Sequence, residues 1–410
     1  MGSKARPLRA TMLLFWAVAL VATPAQAQIF ARPSADAPGP IHSLPFELYD
    51  GRIYIQASGS GFGPGTFMLD TGAQITHFTS ELVREARLAT FGSSGITGTG
   101  EGRVDAVSVA ATALDLGGFQ LPIRNAVAAP ANEAFGPVYT GSGKRFDGVI
   151  GYDLFAAFAV EIDYERRLIR LYGPAAFRHP EGADIVPIRL IDRKPYLAAT
   201  FSLGGQSLAG DFLIDTGSGG AIGFNGDFVV EKGLVTLAGK TLPTVSRGIG
   251  GATPARLARV QSLTIGRTIL PEPLAIIALE QGKGVRSDAA GRIGGALLRR
   301  FTVTVHYAGQ TVGLRQNSNF GRPLETDMSG LAFISRDGEV VVERVEEGSA
   351  ASDAGMQAGD RLLAIGRRAA PAMSLERIRG MLMQEGESRA LRVLRQGAES
   401  TFFVKLKRRI

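Results

Sequence analysis

The chain of 410 residues contains no cysteine, a single tryptophan and only four histidines. Without thiols it has no disulfides, no thiol nucleophile, no cysteine-attached haem and no lipidated cysteine. Its stability must come from buried apolar surface, and 45% apolar content over this length is enough for more than one packed unit. His42, His77, His179 and His306 are scattered, and no His-Glu-x-x-His or clustered ligand set occurs, so neither a metal nor another cofactor is expected. Beyond the N-terminus no apolar run is long enough for a membrane span. Charge of one sign is not in marked excess either. The formal +7 includes Lys4, Arg6 and Arg9 near the N-terminus, and without them about +4 remains, which is no nucleic-acid footprint. The basic end Lys405-Leu406-Lys407-Arg408-Arg409 reads as a solvated tail.

Residues 1–27 have the three parts of a secretory signal. Lys4, Arg6 and Arg9 give a positive start, Met12 to Val21 an apolar stretch, and Ala25-Gln26-Ala27 a small-residue cleavage site. An exported protein, periplasmic or secreted, is expected, with Gln28 as its new N-terminus; left uncleaved, the stretch would anchor it at the inner membrane.

What the chain has in abundance is glycine, 53 residues. Two glycines close the same tripeptide, each time after an apolar run: Phe67-Met68-Leu69-Asp70-Thr71-Gly72 and Phe212-Leu213-Ile214-Asp215-Thr216-Gly217. At ordinary residue usage one Asp-Thr-Gly occurs on the order of once in several thousand residues. A short buried strand that runs into a glycine turn delivers a carboxylate at its end, where it faces a cleft.

The duplication extends well beyond the tripeptides. Leu44-Pro45-Phe46-Glu47-Leu48-Tyr49-Asp50 matches Val186-Pro187-Ile188-Arg189-Leu190-Ile191-Asp192, and Tyr54 matches Tyr196. Leu114-Asp115-Leu116-Gly117 matches Leu263-Thr264-Ile265-Gly266. Gly148-Val149-Ile150-Gly151 matches Gly291-Arg292-Ile293-Gly294, with Tyr164 matching Tyr307 beyond. The chain thus holds two copies of one lobe, 28–177 and 178–316. Strand-like alternation bounded by Asp50-Gly51, Gly117-Gly118 and Gly204-Gly205 makes residues 40 to 316 all-β, with short helices expected at Ser80 to Ala89, Tyr152 to Phe158 and Ala296 to Phe301.

From residue 328 the pattern changes, after a linker at 317–327. Ser329-Gly330-Leu331-Ala332-Phe333, Gly348-Ser349-Ala350-Ala351 and Ala354-Gly355-Met356-Gln357-Ala358-Gly359-Asp360-Arg361-Leu362 resemble a PDZ domain at 328–410, a small α+β fold. The resemblance implies a helix at Ser374 to Met383 beside a peptide groove. It also implies that the loop Gly330, Leu331, Ala332 and Phe333 offers backbone N–H groups to a C-terminal peptide.

The two lobes resemble aspartic proteases. The resemblance rests on Asp70-Thr71-Gly72 and Asp215-Thr216-Gly217, each followed by an apolar-Gly pair, Ile150-Gly151 and Ile293-Gly294. It implies that Asp70 and Asp215 form the catalytic pair and that Thr71 and Thr216 bond across the lobes. The apolar-Gly pairs then pack under the turns, and Ser218 supports the Asp215 carboxylate. The glycine-rich stretches Gly92 to Gly102 and Arg247 to Gly251 resemble flaps, with Ile96, Gly98 and Gly100 in one and Gly248, Ile249 and Gly250 in the other.

Physically, two carboxylates near 3 Å apart cannot both ionise, so they share a proton and suit acid-base activation of water. The plain alternative is a strand-end turn whose Asp accepts local N–H bonds. Other motifs are weaker. Gly217-Ser218-Gly219-Gly220 resembles the surroundings of a serine nucleophile but has Ala73 in place of Ser218 in the first copy. Thr140-Gly141-Ser142-Gly143-Lys144-Arg145 lacks the Ser or Thr that would end a phosphate loop. The chain therefore reads as an exported, monomeric endopeptidase acting on protein or peptide substrates. The alternatives are a silent peptide-binding scaffold on the same lobes, or a form that pairs lobes between chains.

Overall fold

The computed structural model describes Gly2 and residues 39–140, 145–336 and 338–410. Apart from Gly2, the leader at 1–27 lies outside the described residues, as does the centre of the Thr140 to Arg145 loop.

Alternation sets the strands of both lobes. Ile53, Ile55 and Ala57 are buried along Arg52–Gly59, and Leu197, Ala199, Phe201 and Leu203 along Lys194–Leu203. Each lobe is a ten-stranded sheet with the same neighbour order along nine strands, the tenth, Glu47–Tyr49 in one lobe and Arg189–Ile191 in the other, pairing off that path with Arg52–Gly59 and Lys194–Leu203. In the first it runs Thr90–Ile96, Val104–Val109, Ala126–Ala129, Thr76–Thr79, Gly148–Ile150, Phe62–Leu69, Arg52–Gly59, Thr112–Asp115, Gln120–Ile123. In the second it runs Leu242–Gly248, Gly251–Arg259, Leu274–Ala278, Ile222–Phe224, Gly291–Gly294, Gln206–Asp215, Lys194–Leu203, Ser262–Ile265, Thr268–Pro271. The sequence repeat is thus a repeat of topology.

A third, six-stranded sheet ties the lobes together. Ala159–Asp163 pairs antiparallel with Phe301–His306, Ile162 opposite Val303. His42–Pro45 and Leu168–Tyr172 extend the sheet on one side, and Thr311–Gln316 and Asp184–Pro187 on the other. One apolar core runs through both lobes, from Ile53, Phe67 and Phe78 to Phe212, Phe224 and Phe301.

The C-terminal domain has its own core, including Phe333, Val342, Ile365, Ile378, Leu391 and Val404. Its sheet runs Leu331–Arg336, Glu339–Val345, Arg361–Ile365, Ser388–Arg395, Ala398–Lys405, so Leu331–Arg336 is an outer edge. Ser374 caps the helix Leu375–Met381 by accepting the Arg377 N–H.

Some local expectations need correction. The first helix spans only Ser80–Glu85, because the chain reverses at Arg87 with φ of 52°. The helix expected to reach Phe301 ends at Leu298, and Phe301 opens a strand of the interlobe sheet. The stretch 317–327 is no free linker, since Phe320 and Leu324 pack into the core of the lobes.

Candidate active site

Both Asp-Thr-Gly turns are held by parallel strand pairs. Leu69 lies opposite Ile150, and the Asp70 N–H donates to the Ile150 carbonyl at 3.0 Å. In the second lobe Ile214 lies opposite Ile293 and Asp215 opposite Gly294. Each Asp then turns back on itself: Asp70 Oδ1 accepts the Gly72 N–H at 2.6 Å, and Asp215 Oδ1 the Gly217 N–H at 3.0 Å. Ile150 and Ile293 are fully buried under the turns. Gly151 and Gly294 sit so close to them that a Cβ would lie 2.4 Å from the Ala73 carbonyl oxygen and 2.5 Å from that of Gly220.

The threonines lock the turns to each other. The Thr71 N–H donates to Thr216 Oγ1 and the Thr216 N–H to Thr71 Oγ1, each at 3.0 Å. The Thr71 hydroxyl donates to the Ile214 carbonyl at 2.6 Å, and that of Thr216 to the Leu69 carbonyl at 2.9 Å. Both threonines are buried, so each hydroxyl satisfies two backbone groups of the opposite lobe.

This lock sets Asp70 and Asp215 side by side: a Cβ on Gly72 would lie 3.1 Å from Oδ1 of each. Burial, reinforced by the neighbouring Asp215 charge, pushes the Asp70 carboxyl up to about 8, against the Gly72 N–H and the more modest pull of Lys194. Asp70 therefore keeps its proton at neutral pH. The arrangement exceeds a local Asx turn, in which each carboxylate would serve only its own loop. It also explains the glycine of the second turn: a Cβ on Gly217 would sit 2.4 Å from Asp70 Cγ.

A cavity of about 290 Å³ opens over the pair. Hairpins from both lobes roof it, and their tips bond to one another. The Gly100 N–H donates to the Ile249 carbonyl at 2.9 Å and the Gly102 N–H to that of Gly250 at 2.8 Å. Gly98 accepts from the Gly284 N–H at 2.8 Å. At Gly100 a Cβ would fall 2.3 Å from the Gly250 carbonyl carbon, so the tips meet only because they are glycine. Ile96 is buried beneath the first hairpin, Gly248 abuts Thr99 Oγ1, and Ile249 packs against the first lobe's apolar cluster.

Ser218 also lines this cavity, but its backbone does the bracing. Its N–H donates to the Asp215 carbonyl at 3.2 Å, and its carbonyl accepts the Gly295 N–H at 2.7 Å. Among the described residues no hydrogen bond joins its hydroxyl to the Asp215 carboxylate, which corrects the supporting role expected for that side chain. His77 lies in the wall, driven down to about 4 by burial and then by Lys194, and is neutral at physiological pH.

Sequence reasoning missed three contributors. Arg52 donates from Nε to the Gly217 carbonyl at 2.9 Å while Asp50 holds its Nη1 at 2.6 Å. Lys194, its counterpart in the second copy, lines the cavity near Asp70 instead. The buried Tyr307 hydroxyl donates to the Thr71 carbonyl at 3.3 Å. The signal for the first two was the aligned pair Arg52 and Lys194, cationic in both copies.

The C-terminal domain reaches the same region. Arg379, on the helix Leu375–Met381, pairs with Asp50 at 2.8 Å, and Glu343 pairs with Arg247 of the second flap at 3.8 Å. Its loop differs from expectation. The Gly330 and Ser329 N–H groups already donate to Asp327 Oδ1 at 2.9 Å, and the Leu331 N–H donates to Ser329 Oγ at 3.1 Å. Asp327 is raised to about 6 by burial, with those bonds opposing. Gly330 and Leu331 thus have their N–H groups engaged within the chain, whereas Ala332 and Phe333 continue into the edge strand.

Among the described residues no group of three or more His, Asp or Glu is placed to hold a metal ion. A family model described as an aspartyl protease matches residues 55–154, and one described as a PDZ domain matches residues 341–395. Comparison with curated proteins gave no match. The protease model lies within the first lobe; the second is joined to it by the sequence repeat and the identical strand order.

Proposed function

From a chain that carries an aspartyl protease domain and a C-terminal PDZ domain, we propose an exported endopeptidase that hydrolyses peptide bonds with water held between Asp70 and Asp215. The observation that carries this reading is the carboxylate pair itself, half-buried and set side by side where two lobes meet beneath two flaps.

The ionised carboxylate takes a proton from the water as its oxygen bonds to the scissile carbonyl carbon, and the protonated carboxyl donates to the carbonyl oxygen. The C–N bond of the resulting gem-diol then breaks as the carboxyl that took the water's proton gives it to the leaving nitrogen and the other carboxylate takes a proton from a diol hydroxyl, leaving a carboxylic acid and an amine. The pair thereby returns to its starting protonation state. Substrate entry requires the Gly100–Ile249 and Gly102–Gly250 bonds to open, and the freed N–H and carbonyl groups can then pair with an extended substrate backbone.

Because one chain supplies both carboxylates, a monomer suffices. Export rests on the leader-like residues 1–27. The edge strand Leu331–Arg336 suits addition of an extended segment, so the PDZ domain would recruit substrate or restrain the flap it touches through Glu343.

The test is incubation of the protein with a complex peptide mixture across pH, with and without a hydroxyl-bearing, non-hydrolysable mimic of the gem-diol. Cleavage blocked by the mimic is expected. Peptide binding with no cleavage at any pH would favour the silent scaffold.

A further inference from the structure

The two halves of the cleft are built on one plan and differ at its centre. In the first lobe Val149 lies between Met68 and His77 across the strand ladder. In the second, the matching position is Arg292, between Leu213 and Gly223. The exchange is concerted, because the histidine of one copy becomes glycine in the other. A Cβ on Gly223 would lie 3.0 Å from Arg292 Nε, so the missing side chain makes room for the guanidinium. Arg292 is half-buried, lines the cavity and donates from Nη2 to Ser246 Oγ at 3.5 Å.

The first half is apolar by contrast. Val149 packs in one cluster with Met68, Ile96 and Phe135, beside His77 in its neutral form. Charge across the whole cavity leans the same way as Arg292. Its lining carboxylates are Asp70, which holds its proton at neutral pH, and Asp215, against the cations Arg52, Lys194, Arg247 and Arg292. Arg52 is engaged with Asp50, and Arg247 lies 3.8 Å from Glu343.

An extended chain laid across the carboxylate pair places the residues on either side of the scissile bond over opposite lobes. We propose that the substrate carries an apolar side chain on one side of that bond and a carboxylate side chain on the other, and that Arg292 receives the carboxylate. A guanidinium offers a planar fork that matches a carboxylate, and a desolvated pair of this kind discriminates strongly against uncharged analogues. The proposal rests on the reading of this cleft as a peptide-hydrolysing site, and its test separates the two.

The measurement is fluorescence anisotropy of labelled decapeptides with Phe-Glu, Phe-Gln, Phe-Lys or Phe-Leu at the centre, each in both orders, on the full chain bearing Asp215→Asn. The Glu peptide in one order is expected to bind roughly 10- to 100-fold more tightly than its Gln partner. Arg292→Val, which installs the first lobe's residue, abolishes that ratio and favours Phe-Leu. Arg292→Lys retains part of the ratio, and Arg292→Glu turns the preference toward Phe-Lys. Matching KM shifts are expected in the chain with both Asp residues intact. Equal binding of Glu and Gln peptides, or a ratio untouched by Arg292→Val while Arg292→Lys shows the fold intact, overturns the proposal. A Glu preference in a chain that cleaves nothing sustains it and removes the hydrolytic reading alone.

Discussion

Replacing Thr216 by valine keeps the branched shape at Cβ and deletes one hydroxyl. That hydroxyl accepts the Thr71 N–H at 3.0 Å and donates to the Leu69 carbonyl at 2.9 Å, in a site closed to water. The Thr71 N–H and the Leu69 carbonyl each lose this bond, at up to about 1–3 kcal/mol apiece, so the substitution should cost at most roughly 6 kcal/mol. Thr71→Val removes the matching bonds to the Thr216 N–H and the Ile214 carbonyl and should cost about the same. Thr216→Ser loses only a methyl group, about 1 kcal/mol. The hydroxyls lie 3.5 Å apart, so the double valine variant should cost less than the sum of the two. Urea unfolding of the four variants measures these differences, and peptide hydrolysis should fall with them because the same bonds aim both carboxylates. If Thr216→Val is no worse than Thr216→Ser, the interlobe lock is not what holds the pair.

The other expectations concern charge and the C-terminal domain. Asp70 must hold its proton, so kcat/KM should decline as pH rises through about 8. Lys194 lowers this group, so Lys194→Met should move that limb upward, and a downward move would contradict the assignment. Ser218→Ala should change kcat within roughly twofold, since no covalent step passes through the hydroxyl; loss of activity would indicate a serine nucleophile. Arg52→Met leaves the Gly217 carbonyl short of a partner and should cost about 1–3 kcal/mol, with Arg52→Lys restoring part in a melting assay. Arg379→Ala removes a half-exposed pair and should cost at most about 1 kcal/mol in that assay, with small-peptide hydrolysis unchanged.

Much of the fold was legible because it is written twice. Paired Asp-Thr-Gly turns and apolar-Gly pairs at matching spacing carry the register of the central strands, and alternation at Ile53, Ile55 and Ala57 carries their faces. The interlobe sheet was not legible, since nothing local says that Ala159–Asp163 pairs with Phe301–His306 rather than within its own lobe. The linker failed for a related reason. Its Asn, Pro and Gly content reads as loop, and the burial of Phe320 and Leu324 depends on a surface that exists only once the lobes fold. At the site, turns and flap glycines were visible as motifs. Arg52, Lys194 and Tyr307 were not, because each acts across a lobe boundary on a backbone group or a charge. The PDZ loop misled because its motif specifies backbone shape and leaves open that Asp327 would take the N–H groups first.

The most direct measurement is the rate of peptide-bond hydrolysis by the intact chain beside Asp215→Asn, at matched concentration across pH. A single amide leaves fold and flaps in place and removes the carboxylate that lies beside Asp70. The account predicts cleavage by the intact chain that declines above about pH 8, and none above background by Asp215→Asn. Equal cleavage by the two proteins would contradict it.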